Sequence, residues 1–272
     1  MSETVIATDF AAIKTKQQAA WATGDYARVG NAIVLTAELL MEVLDVRSSW
    51  HVLDVAAGSG NASLAAARRG CRVTSMDFVP SLLERGRLRA EAEELRRIEF
   101  READAEALPF ADGAFDAAVS TFGVMFTPIQ ERSAAEMARV VRPGGKIGLA
   151  CWTPGGFVGR MLGAIARFVP PAPELKPPSL WGTEARLKEL FPERTSLRIE
   201  TLQMVFRAPS ANAWFQHFRT YYGPMNHTWN SLADEQKPSF EAAVLELAHS
   251  MNTSTDGEWI LPSEYLQAVI TK

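Results

Sequence analysis

Cysteine is nearly absent from this chain of 272 residues: Cys71 and Cys151 are the only two. They fall in separate apolar stretches, which excludes a disulfide framework and a cysteine-built metal cluster and fits a reducing compartment. There is no basic run, and the formal net charge is -4. A polyphosphate backbone would find no track to follow, so no nucleic-acid partner is expected. No stretch is long and apolar enough to span a bilayer, so stable membrane insertion is not expected either. The opening MSETVIATDFAAIKTKQQ mixes acids, polar residues and lysines, and it lacks the apolar core of a signal peptide. The expectation is a soluble, cytoplasmic protein that needs no metal. Internal repeats and low-complexity tracts are also missing.

What is present is a substantial apolar fraction, 47% of residues, enough for a large α/β domain. Three parts are expected within it: a helical cap over 1–49, a core over 50–152, and a substrate-side region with the last strands over 153–272. The core is organised around His51 to Arg69, HVLDVAAGSGNASLAAARR. Val52, Leu53 and Val55 read as a buried strand. Gly58 and Gly60 read as a tight turn, and Asn61 or Ser63 as the cap of the helix that follows. The free N–H groups of such a helix face the mouth of the turn, a place suited to a ligand.

The rest of the core alternates. Strands are expected at Cys71–Met76, 98–102, 115–121 and 146–152, with helices from Pro80 to about Leu95 and over 131–140. Arg142 to Gly145 reads as a turn. Such alternation with short links predicts a parallel sheet wound on both faces. Before it, 9–28 reads as a helix broken near Gly24, and 31–46 as an amphipathic helix. After it come helices at 157–168, 181–190, 211–222 and 232–249, and strands at 197–207 and 259–270.

In such a sheet the ligand crevice lies beyond the carboxyl ends of the strands. Asp54, Asp77 and Asp104 end successive strands. Asp77 stands where an acid meets a ribose diol, and a carboxylate can accept both hydroxyl hydrogen bonds. Asp104 can accept from an exocyclic amine such as that of adenine. Each acid alone also suits a helix cap or a turn. Together beside the glycine turn they point to an adenosine site. S-adenosylmethionine and NAD both carry adenosine. The dinucleotide fingerprint wants glycine at position 63, where this chain has Ser63, and that weakens the NAD reading.

The stretches VLDVAAGSG, VTSMDFVPSLLERGR, EFREADAEALPFADGAFDAAVSTFGVMF and EMARVVRPGGKIGLACW resemble the class I S-adenosylmethionine-dependent methyltransferases, in particular the ubiquinone and menaquinone C-methyltransferase group. The resemblance covers about residues 50–152. It implies an α/β, doubly wound, seven-stranded, mostly parallel sheet of Rossmann-like type, with the last two strands as an antiparallel edge hairpin. N-terminal helices and a helical insertion would cover its cleft. It also implies roles. Asp54, Ala57, Gly58 and Gly60 surround the methionine part of the cofactor. Asp77 holds the ribose, and Phe78 packs on the adenine. Asp104 and the N–H of Ala105 read the adenine edge, and Thr121 and Phe122 lie near the sulfonium and the acceptor. Where the commoner motif has glycine, this chain has Ala56.

Methyl transfer needs alignment and exclusion of water, and aromatic faces favour the sulfonium cation. Trp21, Tyr26, Phe122, Phe126 and Trp152 are candidates for those faces, and each could equally be core packing. The stretch from Ala208 to Asn230 concentrates aromatics, Tyr222 among them, and reads as the lining for a small aromatic, heterocyclic or lipid-like acceptor. His217 and His227 within it are candidate bases if a phenol or ring N–H must lose a proton. A cofactor-binding protein without methyl transfer is the competing function.

Overall fold

The computed structural model describes residues 8–256 and 258–272. The first seven residues, part of the stretch read above against a signal peptide, lie outside the described residues. Three helices come first: α1 (Phe10–Ala22), α2 (Tyr26–Gly30) and α3 (Val34–Leu44). The core follows as β1 (His51–Val55), α4 (Asn61–Arg68), β2 (Arg72–Asp77), α5 (Pro80–Ala92), β3 (Ile98–Glu102), β4 (Phe115–Thr121), α6 (Gln130–Val140) and β5 (Val141–Trp152). Then come α7 (Phe157–Phe168), α8 (Glu184–Leu190), β6 (Ser196–Ala208), α9 (Ala211–Tyr221), α10 (Gly223–Ser231), α11 (Lys237–Met251) and β7 (Trp259–Thr271).

The seven strands form one sheet in the order β3-β2-β1-β4-β5-β7-β6. β1 to β5 run parallel, and β7 enters antiparallel between β5 and β6. This is the doubly wound α/β architecture expected, with the antiparallel pair at one edge. The chain order reverses between β1 and β4. There the crossovers on either side lead away from each other, and a crevice opens beyond the strand ends.

Helices fill both faces. On one, Leu40, Met41 and Leu44 of α3 are fully buried against Ala62, Ala65 and Ala66 of α4. The small alanines let α4 lie close to the sheet, and each large side chain contributes roughly 1.5–3 kcal/mol by leaving water. On the other face Met137 of α6 and Phe157 and Met161 of α7 join the main apolar cluster. Trp214, Phe215 and Phe218 of α9 and Phe240 of α11 belong to that same cluster. Most of the aromatics expected to line an acceptor pocket are therefore core.

Three local readings need correction. The turn expected at Arg142–Gly145 is part of β5, which starts at Val141 and bulges where its register with β4 slips between Phe115 and Ala117. Pro143 is tolerated there because a bulge asks for no ladder donor. The Gly223-Pro224 pair reads as a loop carrying His227, but Pro224 opens α10, in the first turn, where its missing N–H costs nothing. Neither Asn61 nor Ser63 occupies the cap position of α4; Gly60 does, at φ +81°.

Two strand ends carry left-handed residues that are not glycine, Ala56 after β1 (φ 53°) and Phe122 after β4 (φ 59°). They meet across Gly123, where a Cβ would stand 2.1 Å from the Ala56 carbonyl oxygen. The φ at position 56 explains why glycine suits that place in the motif. Ala56→Gly is expected to gain about 0.5–1 kcal/mol in urea unfolding, the left-handed cost less the extra chain entropy of glycine. Gly123→Ala is expected to lose about 3 kcal/mol or more, because backbone cannot yield as a side chain can. Equal stability of all three proteins would contradict this account.

Candidate functional site

The crevice at the strand-order reversal is a partly open cleft with ≈ 870 Å³ of space between its lining residues, solvent at its mouth included. Its floor is built from the ends of four parallel strands: Ala56 to Ser59 after β1, Asp77 and Phe78 at β2, Ala103 to Ala105 after β3, and Thr121 to Gly123 at β4. Its cover is α1 and α2, which supply Lys14, Gln17, Trp21 and Tyr26. Phe126 and Pro128 close one side.

Buried carboxylates fix the glycine turn. Asp77 Oδ2 accepts from the Gly58 N–H at 2.8 Å and Oδ1 from the Val79 N–H at 2.9 Å. One donor on each oxygen leaves lone pairs for hydroxyl groups in the cleft. Asp54 is held by the helix instead. Its Oδ2 accepts from the Ser63 N–H at 2.8 Å and from the Ser63 hydroxyl at 2.6 Å. Asp104 stands on the rim, with Oδ1 accepting from the Glu106 N–H at 2.8 Å and Oδ2 facing Lys14 Nζ at 2.6 Å.

The aromatic end of the cleft centres on Trp21. Tyr26, Phe126 and Tyr222 meet it edge to face at centroid distances of 5.5, 5.0 and 5.7 Å. Tyr26 also roofs the turn: a Cβ at Gly58 would come within 3.6 Å of its ring. Burial, reinforced by Asp77, holds the Tyr26 hydroxyl well above the usual phenol range. It stays protonated and cannot serve as a base near neutrality.

Residues 53–149 match the family model described as a methyltransferase domain. An uncharacterized protein of Mycobacterium tuberculosis is 38% identical over 93% of this chain and 92% of its own length. A demethylmenaquinone methyltransferase of Clavibacter sepedonicus is 42% identical over 36% of this chain and 39% of its own. Among solved structures, the YcgJ protein of Bacillus subtilis superimposes with a TM-score of 0.62 at 17% identity, over 87% of this chain and 97% of that one. The chain is a class I S-adenosylmethionine-dependent methyltransferase. No helix among the described residues is long and apolar enough to cross a membrane, and no cluster of metal-ligating side chains occurs among them.

The residues of this methyltransferase fit an adenosyl sulfonium. Gly58 presents bare backbone, Asp77 offers free lone pairs, and both line one hollow with Asp104. Of the residues singled out in the sequence, Trp21, Tyr26, Ala57, Gly58, Asp77, Phe78, Asp104, Ala105, Thr121, Phe122 and Phe126 line it together. Six do not. Asp54 is committed to Ser63, and Gly60 packs against α5, its missing Cβ pointing at the Gly86 Cα 3.7 Å away. Trp152 lies behind the wall, stacked on Phe122 at 3.8 Å. Tyr222 is buried behind Trp21. His217 packs on Tyr221 of its own helix, and His227 points outward from α10. Neither histidine reaches the cleft to act as a base.

Sequence reasoning missed Lys14, Gln17 and Gln18. Gln17 Nε2 donates to the Phe126 carbonyl at 3.2 Å, and Gln18 Nε2 donates to the Phe78 carbonyl. The sequence signal was a helix rich in Lys and Gln before the core, which reads as a solvated face.

Burial raises the pKa of Asp54 to about 7 and that of Asp77 to about 6, from an ordinary 3.8. Between those values the folded chain holds protons that the unfolded chain releases. Stability therefore falls as pH rises through this window. Asp54→Asn keeps an oxygen for Ser63 and removes the titration. Its unfolding free energy is expected to drop less than that of the native chain between about pH 5 and about pH 8, by on the order of 2 kcal/mol. An unchanged pH slope in urea titrations would refute the assignment.

Proposed function

We propose that this methyltransferase moves the methyl group of S-adenosylmethionine to a small, flat, largely apolar acceptor seated against Trp21 and Phe126. The observation that carries the reading is the polarity of the cleft. Carboxylates stand at one end, Asp77 and Asp104, and a cluster of aromatic rings stands at the other. S-adenosylmethionine supplies a methyl made electrophilic by its sulfonium charge.

In this reading Asp77 accepts the ribose hydroxyls and Phe78 lies along the adenine. Asp104 and the Ala105 N–H meet the adenine edge. Ala57 and Gly58 leave space for the methionine part, and Thr121 and Tyr26 stand near the sulfonium. Trp21, Phe122 and Phe126 then present apolar walls to the acceptor. Rings near a cation contribute roughly 0.5–2 kcal/mol each, and alignment of two reactants can contribute roughly 7–11 kcal/mol. The leaving group is a neutral thioether, so no anion needs stabilising. With His217 and His227 away from the cleft, the acceptor is taken as one that arrives nucleophilic or loses its proton to water. Demethylmenaquinone, named for one relative, falls within the flat apolar class.

Two measurements test this. Calorimetry is expected to detect S-adenosylhomocysteine binding, with Kd raised about 10- to 100-fold in Asp77→Asn, the loss of a charged hydrogen bond. Native affinity in that variant would remove Asp77 from the site. Labelled S-adenosylmethionine offered with phenols, amines and quinols identifies the acceptor class. In that assay Trp21→Ala is expected to raise the acceptor KM at least about tenfold, the weight of a buried aromatic contact, and to change cofactor affinity little. Equal KM in both proteins would place the acceptor elsewhere.

A further inference from the structure

Helix α1 covers the cleft with little apolar surface hidden: none of its residues is fully buried, and Trp21 is the side chain it packs on the apolar cluster. Its other anchors are polar. Gln17 and Gln18 reach the carbonyls of Phe126 and Phe78, and Lys14 reaches two carboxylates. The hydrogen-bonded tethers, like the Lys14–Asp104 pair, end on residues that line the cleft.

The two partners of Lys14 are not equivalent. Glu106 is sealed in, its side chain 1% exposed, with Lys14 Nζ 2.7 Å from Oε2. Its other oxygen accepts from the Ile129 N–H at 2.6 Å. Without Lys14 it is a buried carboxylate with no countercharge, which is costly. Asp104 is 40% exposed and is stabilised by water whether or not Lys14 is present. Burial opposes the Lys14 charge, but the two acids outweigh it, and its pKa is raised.

We propose that Lys14 is a positioning residue for the cofactor: anchored on Glu106, it yields Asp104 Oδ2 to the exocyclic amine of adenine and keeps α1 closed over the adenosyl group. This rests on the reading that Asp104 faces the adenine edge. The exchange costs little because Asp104 trades one donor for another and the buried pair with Glu106 is never broken. Trp21 lies seven residues further along the helix, two turns or about 10 Å. The seat of Lys14 thereby also sets the wall offered to the acceptor.

The test uses the full chain with S-adenosylhomocysteine as the probe. Binding kinetics are followed by stopped-flow tryptophan fluorescence, and closure of α1 by hydrogen exchange over residues 10–22. In Lys14→Met, dissociation is expected to be at least about tenfold faster. Association should be no slower than in the native chain, because a competitor for Asp104 has gone, and exchange in α1 should rise. That combination differs from general damage, which would slow association. Lys14→Arg is expected to restore native dissociation and protection. Glu106→Gln, which removes the anchor and leaves the rim alone, is expected to speed dissociation in the same way. If the native protein binds the probe and Lys14→Met releases it at the native rate with α1 equally protected, the role of Lys14 is refuted and the cofactor reading stands. If the native protein does not bind the probe, both fall.

Discussion

Two carboxylates buried side by side at the ends of β1 and β2 hold the glycine turn in shape. Asp77 pulls the Gly58 N–H toward the second strand, and Asp54 pulls the Ser63 N–H toward the first. The turn between them has no side chain of its own to lock it. Backbone amides held by carboxyl oxygens on two strands take that part. Once the turn is fixed, the start of α4, the roof formed by Tyr26 and the open hollow beneath it follow. The raised proton affinity of both acids is the cost of building a polar clasp in a dry place.

Around that clasp the molecule divides its labour. The parallel strands present backbone and acids at their ends, and β1, β2 and β4 are rigid because each pairs on both sides. The cover is held differently, by amide and ammonium groups on a helix that hides little apolar surface. Rigid floor and polar-tethered roof are what a site needs if a large charged ligand must enter, be enclosed and leave.

Much of the floor was legible in the sequence because it is local. A strand, a glycine turn and an acid a fixed distance further on lie close together in the chain, so Gly58, Asp77 and Asp104 could be placed before any coordinates. The partner a strand-end acid takes was not legible. Asp54 carries the same chemistry as Asp77 and lies on the same face of the sheet, since it pairs with Ser75, two residues before Asp77; it stands one residue short of its strand end, and the amide and hydroxyl of Ser63 claim its carboxylate. The roof was half legible: Trp21 and Tyr26 stood out as aromatics outside the sheet, whereas Lys14 needs partners 90 and 92 residues away that no spacing rule connects to it. Aromatics in the long insertion misled for a plain reason. A ring in a core and a ring in a pocket have the same composition, and only packing tells them apart. Trp214, Phe215 and Phe218 went to the core.

The insertion itself leaves and rejoins the sheet at one point. Ala208, the last residue of β6, pairs with Trp259, the first of β7. Everything between, α9 to α11, hangs from a doorway already closed by a hydrogen-bonded ladder. Lengthening or rebuilding such an excursion costs little chain entropy, since its ends are neighbours regardless. The face of α10 toward α1 could then be remodelled in evolution, reshaping the end of the cleft at Trp21, while the strand ends proposed to grip the adenosyl group were left untouched. One grip could in this way be inherited by enzymes with quite different tastes.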